Sequence, residues 1–214
     1  MRIRKILNNK EIKESGLKEI AKIGLENEKI SRWRTRLLNY KFNGAYPDDK
    51  YIWLTNVLAL KSVDSGNFGV GCILVDVYGN VVIQGHNEVF HPYFRSDRHA
   101  EMVVMDEFED IQLDISEIQG FKLYTSLESC PMCFVRLITS GVNKVLHASP
   151  DMTGGMVREK ENLPQFWLDL CDGKVFSQAR CSQELINAAN EIFHLNVDEL
   201  INKIKNIHSM KERS

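Results

Sequence analysis

Two short clusters constrain this chain more than anything else in it: His99-Ala100-Glu101 and Cys130-Pro131-Met132-Cys133. Each stands at the start of a predicted helix, behind a strand or a loop, so two helix N-termini could face one point. Free backbone N–H groups and the helix dipole lower a thiol's pKa there, so both cysteines can ligate as thiolates. One imidazole and two thiolates suit zinc. Three protein ligands leave a fourth tetrahedral position for water, whereas a structural zinc fills that position with protein. Glu101, two residues beyond His99, can reach such a water without competing for the metal. Passing its proton to a ring nitrogen and then to a leaving amine would be hydrolytic deamination.

The chain has 214 residues, 43% hydrophobic and 26% charged, enough to bury one core, so one domain with additions is expected. No run approaches the roughly 18 apolar residues of a membrane span. Met1-Arg2-Ile3-Arg4-Lys5 leads into a polar stretch rather than the apolar core of a signal peptide, so a cytoplasmic protein is expected. Five cysteines are an odd number, and the Cys-x-x-Cys spacing in a reducing compartment favours metal or redox chemistry over a disulfide scaffold.

The net charge of −2 hides an uneven distribution. Residues 1–50 carry 13 Lys or Arg against 7 Asp or Glu, residues 51–200 carry 10 against 21, and residues 201–214 carry 4 against 1. A basic arm and tail thus flank an acidic body, and any phosphate-backbone contact would fall to the arm or the tail. A solvated helical face is the plainer reading of the arm. Between Ser15 and Tyr40, apolar residues including Leu17, Ile20, Ile30, Trp33, Leu37 and Leu38 recur at helical spacing, predicting one or two amphipathic helices docked on the body. Trp33, among Arg32, Arg34 and Arg36, could stack on RNA, although an apolar stripe with snorkelling arginines is the commoner arrangement.

Further along, Gly44 to Asp48 breaks the pattern, and Asp48 or Asp49 can cap a helix through Val63. Val70–Val75 and Val81–Ile83 read as a hairpin around Tyr78-Gly79-Asn80, followed by a polar loop from Gly85 to Arg98. The pattern then predicts a helix through Phe108 with Met102, Met105 and Phe108 inward, a strand Phe121–Thr125, a helix Cys130–Thr139 and a strand Lys144–Ala148. After a loop from Asp151 to Leu163, helical segments are expected at 164–170, 182–193 and 197–207. The chain divides into a helical extension (1–46), a core (47–160) and C-terminal helical segments packing on it (161–214).

The two clusters, with Gly85-His86-Asn87, Tyr124-Thr125-Ser126-Leu127-Glu128, Met132, Ser140-Gly141-Val142 and Lys144-Val145, resemble the zinc-dependent cytidine deaminase-like superfamily. The resemblance is to its guanine deaminase and tRNA adenosine deaminase branch and covers roughly residues 51–156. It implies a three-layer α/β/α fold with a mixed central sheet and extra helices at both termini. It implies one zinc per chain on His99, Cys130 and Cys133, Glu101 as the catalytic acid–base, and a homodimer. Asn87 and backbone N–H groups near Ala100 and Cys130 would hold the base, while Glu128 would be structural. In one departure, Ser129 stands where the superfamily usually has proline; this loosens the approach to the helix, and Pro131 in the first turn restores part of the stiffness. His86 and His91 could line the pocket, though a loop histidine is more often bland. Cys72, Cys171 and Cys181 carry no expected role.

The expected substrate is a nucleobase, first a free purine such as guanine. Adenosine in tRNA, or cytosine or a nucleoside, is the alternative, and a structural zinc protein is least favoured. An acidic body that supplies every catalytic residue repels a phosphate backbone. A free base needs only to be enclosed, by a lid from the loop after Asp151 or the C-terminal helices, with Phe166 and Trp167 near it. No membrane partner is expected.

Overall fold

The computed structural model describes residues 7, 8, 11–110 and 120–210. The opening basic residues 1–5 and the end of the basic tail lie outside the described residues. Five strands form one mixed sheet: β1 (Gly71–Val75), β2 (Val81–His86), β3 (Lys122–Leu127), β4 (Lys144–Ser149) and β5 (Val175–Gln178), in the order β2-β1-β3-β4-β5. β1 runs antiparallel to both β2 and β3, while β3, β4 and β5 are parallel. The β1–β2 turn is fixed by Asp76, whose carboxylate accepts from the backbone N–H groups of Tyr78 and Asn80.

Side chains alternate across a strand, so each strand feeds two cores. Ile73, Val75, Tyr124, Leu146 and Ala148 face α3 (Asp49–Asp64) and α7 (Gln183–Phe193). Cys72, Leu74, Leu123 and Val145 face the other layer, with α4 (Ala100–Glu109) and α5 (Pro131–Thr139). The expected three-layer α/β/α architecture is therefore present. α3 is apolar nearly all round because it is covered all round: the sheet lies on one side, and α1 (Glu11–Ile20), α2 (Glu28–Asn39) and α7 pack on the rest. It lies so close to β1 that a Cβ at Gly71 would land on the Thr55 carbonyl.

The flanking helices share this core. Ile12, Ile20, Trp33 and Leu37 join Trp53 and Leu54 in one buried cluster, and the Trp53 indole N–H donates to the Leu37 carbonyl at 2.9 Å. Two aspartates at the start of α3 fasten both ends of the chain. Asp48 accepts from the Tyr124 hydroxyl and the Arg180 N–H, and Asp49 accepts from the Tyr40 hydroxyl and the Asn43 and Ser182 N–H groups. Trp33 is only 3% exposed, with the Arg36 guanidinium 4.1 Å from its ring, so it is a core residue and not a platform for a base.

Several expectations are corrected. The N-terminal helical region is two helices, one of the two expected arrangements, but the first begins at Glu11 rather than near Ser15. On α4 it is Val103 and Val104, with Met105 and Phe108, that are buried, while Met102 is only partly covered. β5 was not anticipated; its four residues Val-Phe-Ser-Gln form a half-exposed edge with too little alternation to register. α6 (Gln165–Cys171) and α8 (Val197–Met210) complete the chain. No helix among the described residues is long and apolar enough to cross a membrane.

Candidate active site

The site is built from two helix N-termini. His99 is the N-cap of α4 and Cys130 the N-cap of α5, both in extended backbone conformation. The His99 carbonyl accepts from Val103 N–H and the Cys130 carbonyl from Phe134 N–H, so each ligand residue is part of its helix's first turn. Pro131 occupies the first helical position of α5, where its fixed φ and missing N–H do no harm. Cys133 follows one turn on, fully buried.

The His99 Nδ1 atom lies 3.4 Å from the Cys130 sulfur and 3.6 Å from that of Cys133, and all three ligand atoms fall within 4.8 Å of one another. In a tetrahedral zinc site a nitrogen and a sulfur at the usual bond lengths are about 3.6 Å apart. The observed spacing is that separation, and the donor set is the borderline-soft mixture zinc takes. The cluster therefore fits a single zinc ion, with Nδ1 as the imidazole donor.

Glu101 is buried beside the two cysteines, and its Oε1 accepts a hydrogen bond from the Ser129 hydroxyl at 2.9 Å. Burial, then the neighbouring Cys130 thiolate, push the Glu101 carboxyl up. Cys130 is held at about 4, chiefly by the hydrogen bond it accepts from the Cys133 thiol, with His99 helping against the cost of burial. Cys133 moves far the other way because it donates to Cys130 and is itself buried. Burial pulls the His99 imidazole down, but the Cys130 thiolate and Glu101 outweigh it and leave the imidazole raised.

Glu128, as expected, is structural. Its buried carboxylate accepts from the Asp151 and Arg158 N–H groups at 3.0 and 3.3 Å, which folds the loop after β4 back over the start of α5. From that loop Met156 N–H donates to the Ser129 carbonyl at 2.9 Å, and Met156 packs with Phe134, Ile138 and Trp167. Trp167 thus backs α5, while Phe166 is 64% exposed.

Asn87 is buried just past β2: its N–H donates to the Val70 carbonyl, its carbonyl accepts from the Ser62 hydroxyl, and its Oδ1 accepts from Val89 N–H. Beyond it the loop to His99 is pinched shut where Glu88 N–H donates to the Arg98 carbonyl and the Arg98 guanidinium meets the Glu88 carboxylate at 2.7 Å. The His86 Nδ1 atom lies 3.0 Å from the Asn87 carbonyl oxygen, and burial pulls its imidazole down. His91 lies against Gly66 in a separate cleft with Asn27 and Lys203. Neither histidine is among the three clustered ligand residues. The residue the sequence reading undervalued is Ser129, visible only as a departure from a motif until its partner is seen in space.

Residues 46–149 match the family described as the cytidine and deoxycytidylate deaminase zinc-binding region. The matched segment is just under half of the chain. Among its relatives, a tRNA-specific adenosine deaminase of Bacillus subtilis (strain 168) is 36% identical over 107 residues, covering 50% of this chain and 65% of that protein. The chain thus spans a little under two thirds of that relative. Among solved structures, one from work on A-to-I editing by tRNA:A34 deaminases aligns with a TM-score of 0.52 at 21% identity, covering 64% of this chain and 94% of that one. A guanine deaminase from Nitrosomonas europaea aligns with a TM-score of 0.54 at 18% identity, covering 80% and 94%. At these identities the structural likenesses speak for the fold alone.

Proposed function

We propose that this protein is a zinc-dependent hydrolytic deaminase that releases ammonia from an exocyclic amine of a nucleobase, and that its substrate is a free purine such as guanine. The observation that carries the chemistry is the convergence of His99 Nδ1 and two cysteine sulfurs beside a buried carboxylate that is not itself one of the three. His99, Cys130 and Cys133 hold the zinc, which when bound supplies a Lewis acid able to bring the pKa of water to about 7. Glu101 takes the water proton on a carboxylate oxygen and passes it to the ring nitrogen beside the amine-bearing carbon, then a second to the departing nitrogen. A carbon–oxygen bond forms, the carbon–nitrogen bond breaks, and ammonia leaves.

Asn87 orients the base. Its carboxamide oxygen is committed to Val89 N–H, so it presents its NH2 group to an acceptor on the ring. The N–H of Ala100, first residue of α4, has no partner within the helix and is available to the same ring.

The preference for a free base rests on where the positive charge sits. The basic helix α2 packs on α3, across the sheet from α4 and α5, and two of its three arginines are engaged internally: Arg34 donates to the Ile20 carbonyl and Arg36 lies over Trp33, while Arg32 is exposed. A phosphate backbone at the zinc cluster would meet the acidic body without them. The relative from Bacillus subtilis favours a second reading, an adenosine in tRNA. Side-by-side rates on guanine, adenine, cytosine, their nucleosides and a tRNA anticodon stem decide between them. Turnover of guanine and none of the stem is expected; salt-sensitive turnover of the stem alone would replace the first reading with the second. The protein would work in the cytoplasm as a homodimer.

A further inference from the structure

Ser129 stands where the superfamily usually has proline, and in isolation that exchange only loosens a loop. In space it does something proline cannot. Its hydroxyl donates to Glu101 Oε1 at 2.9 Å, and both residues are buried, Ser129 to 1% exposure and Glu101 to 4%. A buried carboxylate oxygen without a donor is costly, so this bond selects the Glu101 rotamer. Ser129 is itself held firmly. Its carbonyl accepts from Met156 N–H, and the loop carrying Met156 is clamped by the Glu128 carboxylate through the Asp151 and Arg158 N–H groups. A continuous path runs from the loop after β4, through Ser129, to Glu101.

We propose that Ser129 is a positioning residue: its hydroxyl fixes the Glu101 carboxylate in place, replacing with a hydrogen bond the stiffness that proline gives elsewhere in the superfamily. The proposal rests on the deaminase reading, in which Glu101 carries protons, but its structural half stands apart from activity. Nothing in it requires Ser129 to touch substrate or metal.

The experiment compares the zinc-loaded wild type with Ser129→Ala, Ser129→Pro and Ser129→Thr, reading zinc content, kcat and KM separately, and crystal structures of the wild type and Ser129→Ala. Alanine and proline are expected to keep one zinc and the KM while kcat falls roughly tenfold to a hundredfold, the scale of one hydrogen bond to a charged group. Threonine, which keeps the hydroxyl, recovers most of the loss. In the Ser129→Ala crystal the Glu101 carboxylate leaves its wild-type position. Wild-type kcat in Ser129→Ala with Glu101 unmoved would overturn the proposal, as would loss of zinc in parallel with loss of activity. A wild type that deaminates none of the candidate substrates would remove the deaminase reading, and the Glu101 position in the two crystals would still decide whether Ser129 sets it.

Discussion

The His99 Nδ1 atom and the Cys130 sulfur, 3.4 Å apart, join the N-cap positions of two helices that the sheet alone would leave independent. Because Cys133 completes the set one turn into α5, a single ion can bind all three side chains at once. The purified protein is expected to carry one zinc per chain, and its cobalt-substituted form to show a tetrahedral spectrum with thiolate charge-transfer bands. His99→Ala should lose the metal. A fourth protein ligand in the metal-loaded structure would make the zinc structural and end the catalytic assignment.

The two thiols should behave differently in metal-free protein. Cys130, held at about 4, is a thiolate across the neutral range, whereas Cys133 keeps its proton because it donates to Cys130 and is buried. Ligation requires both as thiolates, so zinc binding near pH 8 should expel about one proton, from Cys133. His99 is raised from the ordinary histidine value, so lowering the pH adds its proton to the count. Affinity therefore rises with pH, and proton release is largest at the acid end. Calorimetry in buffers of different ionisation enthalpy measures both; binding with no proton released at pH 8 would contradict the assigned thiol states.

Glu101→Gln should separate metal binding from chemistry. Glutamine fills the same buried space and can still accept from Ser129, so folding and zinc content should stay near wild type. Activity should fall on the order of 100-fold or more, since the amide cannot carry a proton. Wild-type turnover in this variant would assign the acid–base role elsewhere.

The zinc cluster was legible in the sequence because its ligands lie in two short motifs at helix starts, where spacing along the chain already implies proximity in space. The sheet was legible in β1, β3 and β4 because their apolar runs are buried on both faces, and in β2 because buried and partly exposed residues alternate behind a tight turn. β5 was not, since it is a half-exposed edge whose role emerges only with the chain around it. There Lys174, one residue before the strand, donates to the carbonyls of Ser140 and Val142 at 2.6 and 2.9 Å and neutralises the C-terminal end of α5. Ser129 was misjudged for the same reason: its bond to Glu101 joins residues far apart in sequence, and a motif compares each position only with its own column.

Gly155 tests the clamp on the loop after β4. A Cβ there would fall on the Glu128 carboxyl group and within 2.6 Å of the Asp151 carbonyl, both held by hydrogen bonds and unable to retreat cheaply. Gly155→Ala should therefore destabilise the protein by about 1–3 kcal/mol, the usual cost of overpacking. It should also loosen the loop that holds Ser129, which hydrogen exchange at Met156 and Arg158 would report. Unchanged protection of those amides would mean that the loop is held by other contacts.

Asp49 tests whether the helices before residue 46 form a separable unit. Its side chain, 1% exposed, accepts from the Tyr40 hydroxyl at 2.6 Å and the Asn43 N–H at 3.0 Å on one side, and from the Ser182 N–H at 2.8 Å on the other. It thus ties the segment after α2 and the start of α7 to the first turn of α3. Asp49→Ala leaves these donors without their acceptor and should cost about 2–4 kcal/mol. For a chain of this size that is a fall in Tm of roughly 5–15 °C. Because α1 and α2 share one apolar cluster with Trp53 and Leu54, the loss should be felt in a single transition rather than as early release of the N-terminal helices. Thermal unfolding followed by Trp33 and Trp53 fluorescence, alongside limited proteolysis, checks this. Early cleavage within residues 11–45 while the remainder keeps its wild-type Tm would show an appendage that folds apart from the core.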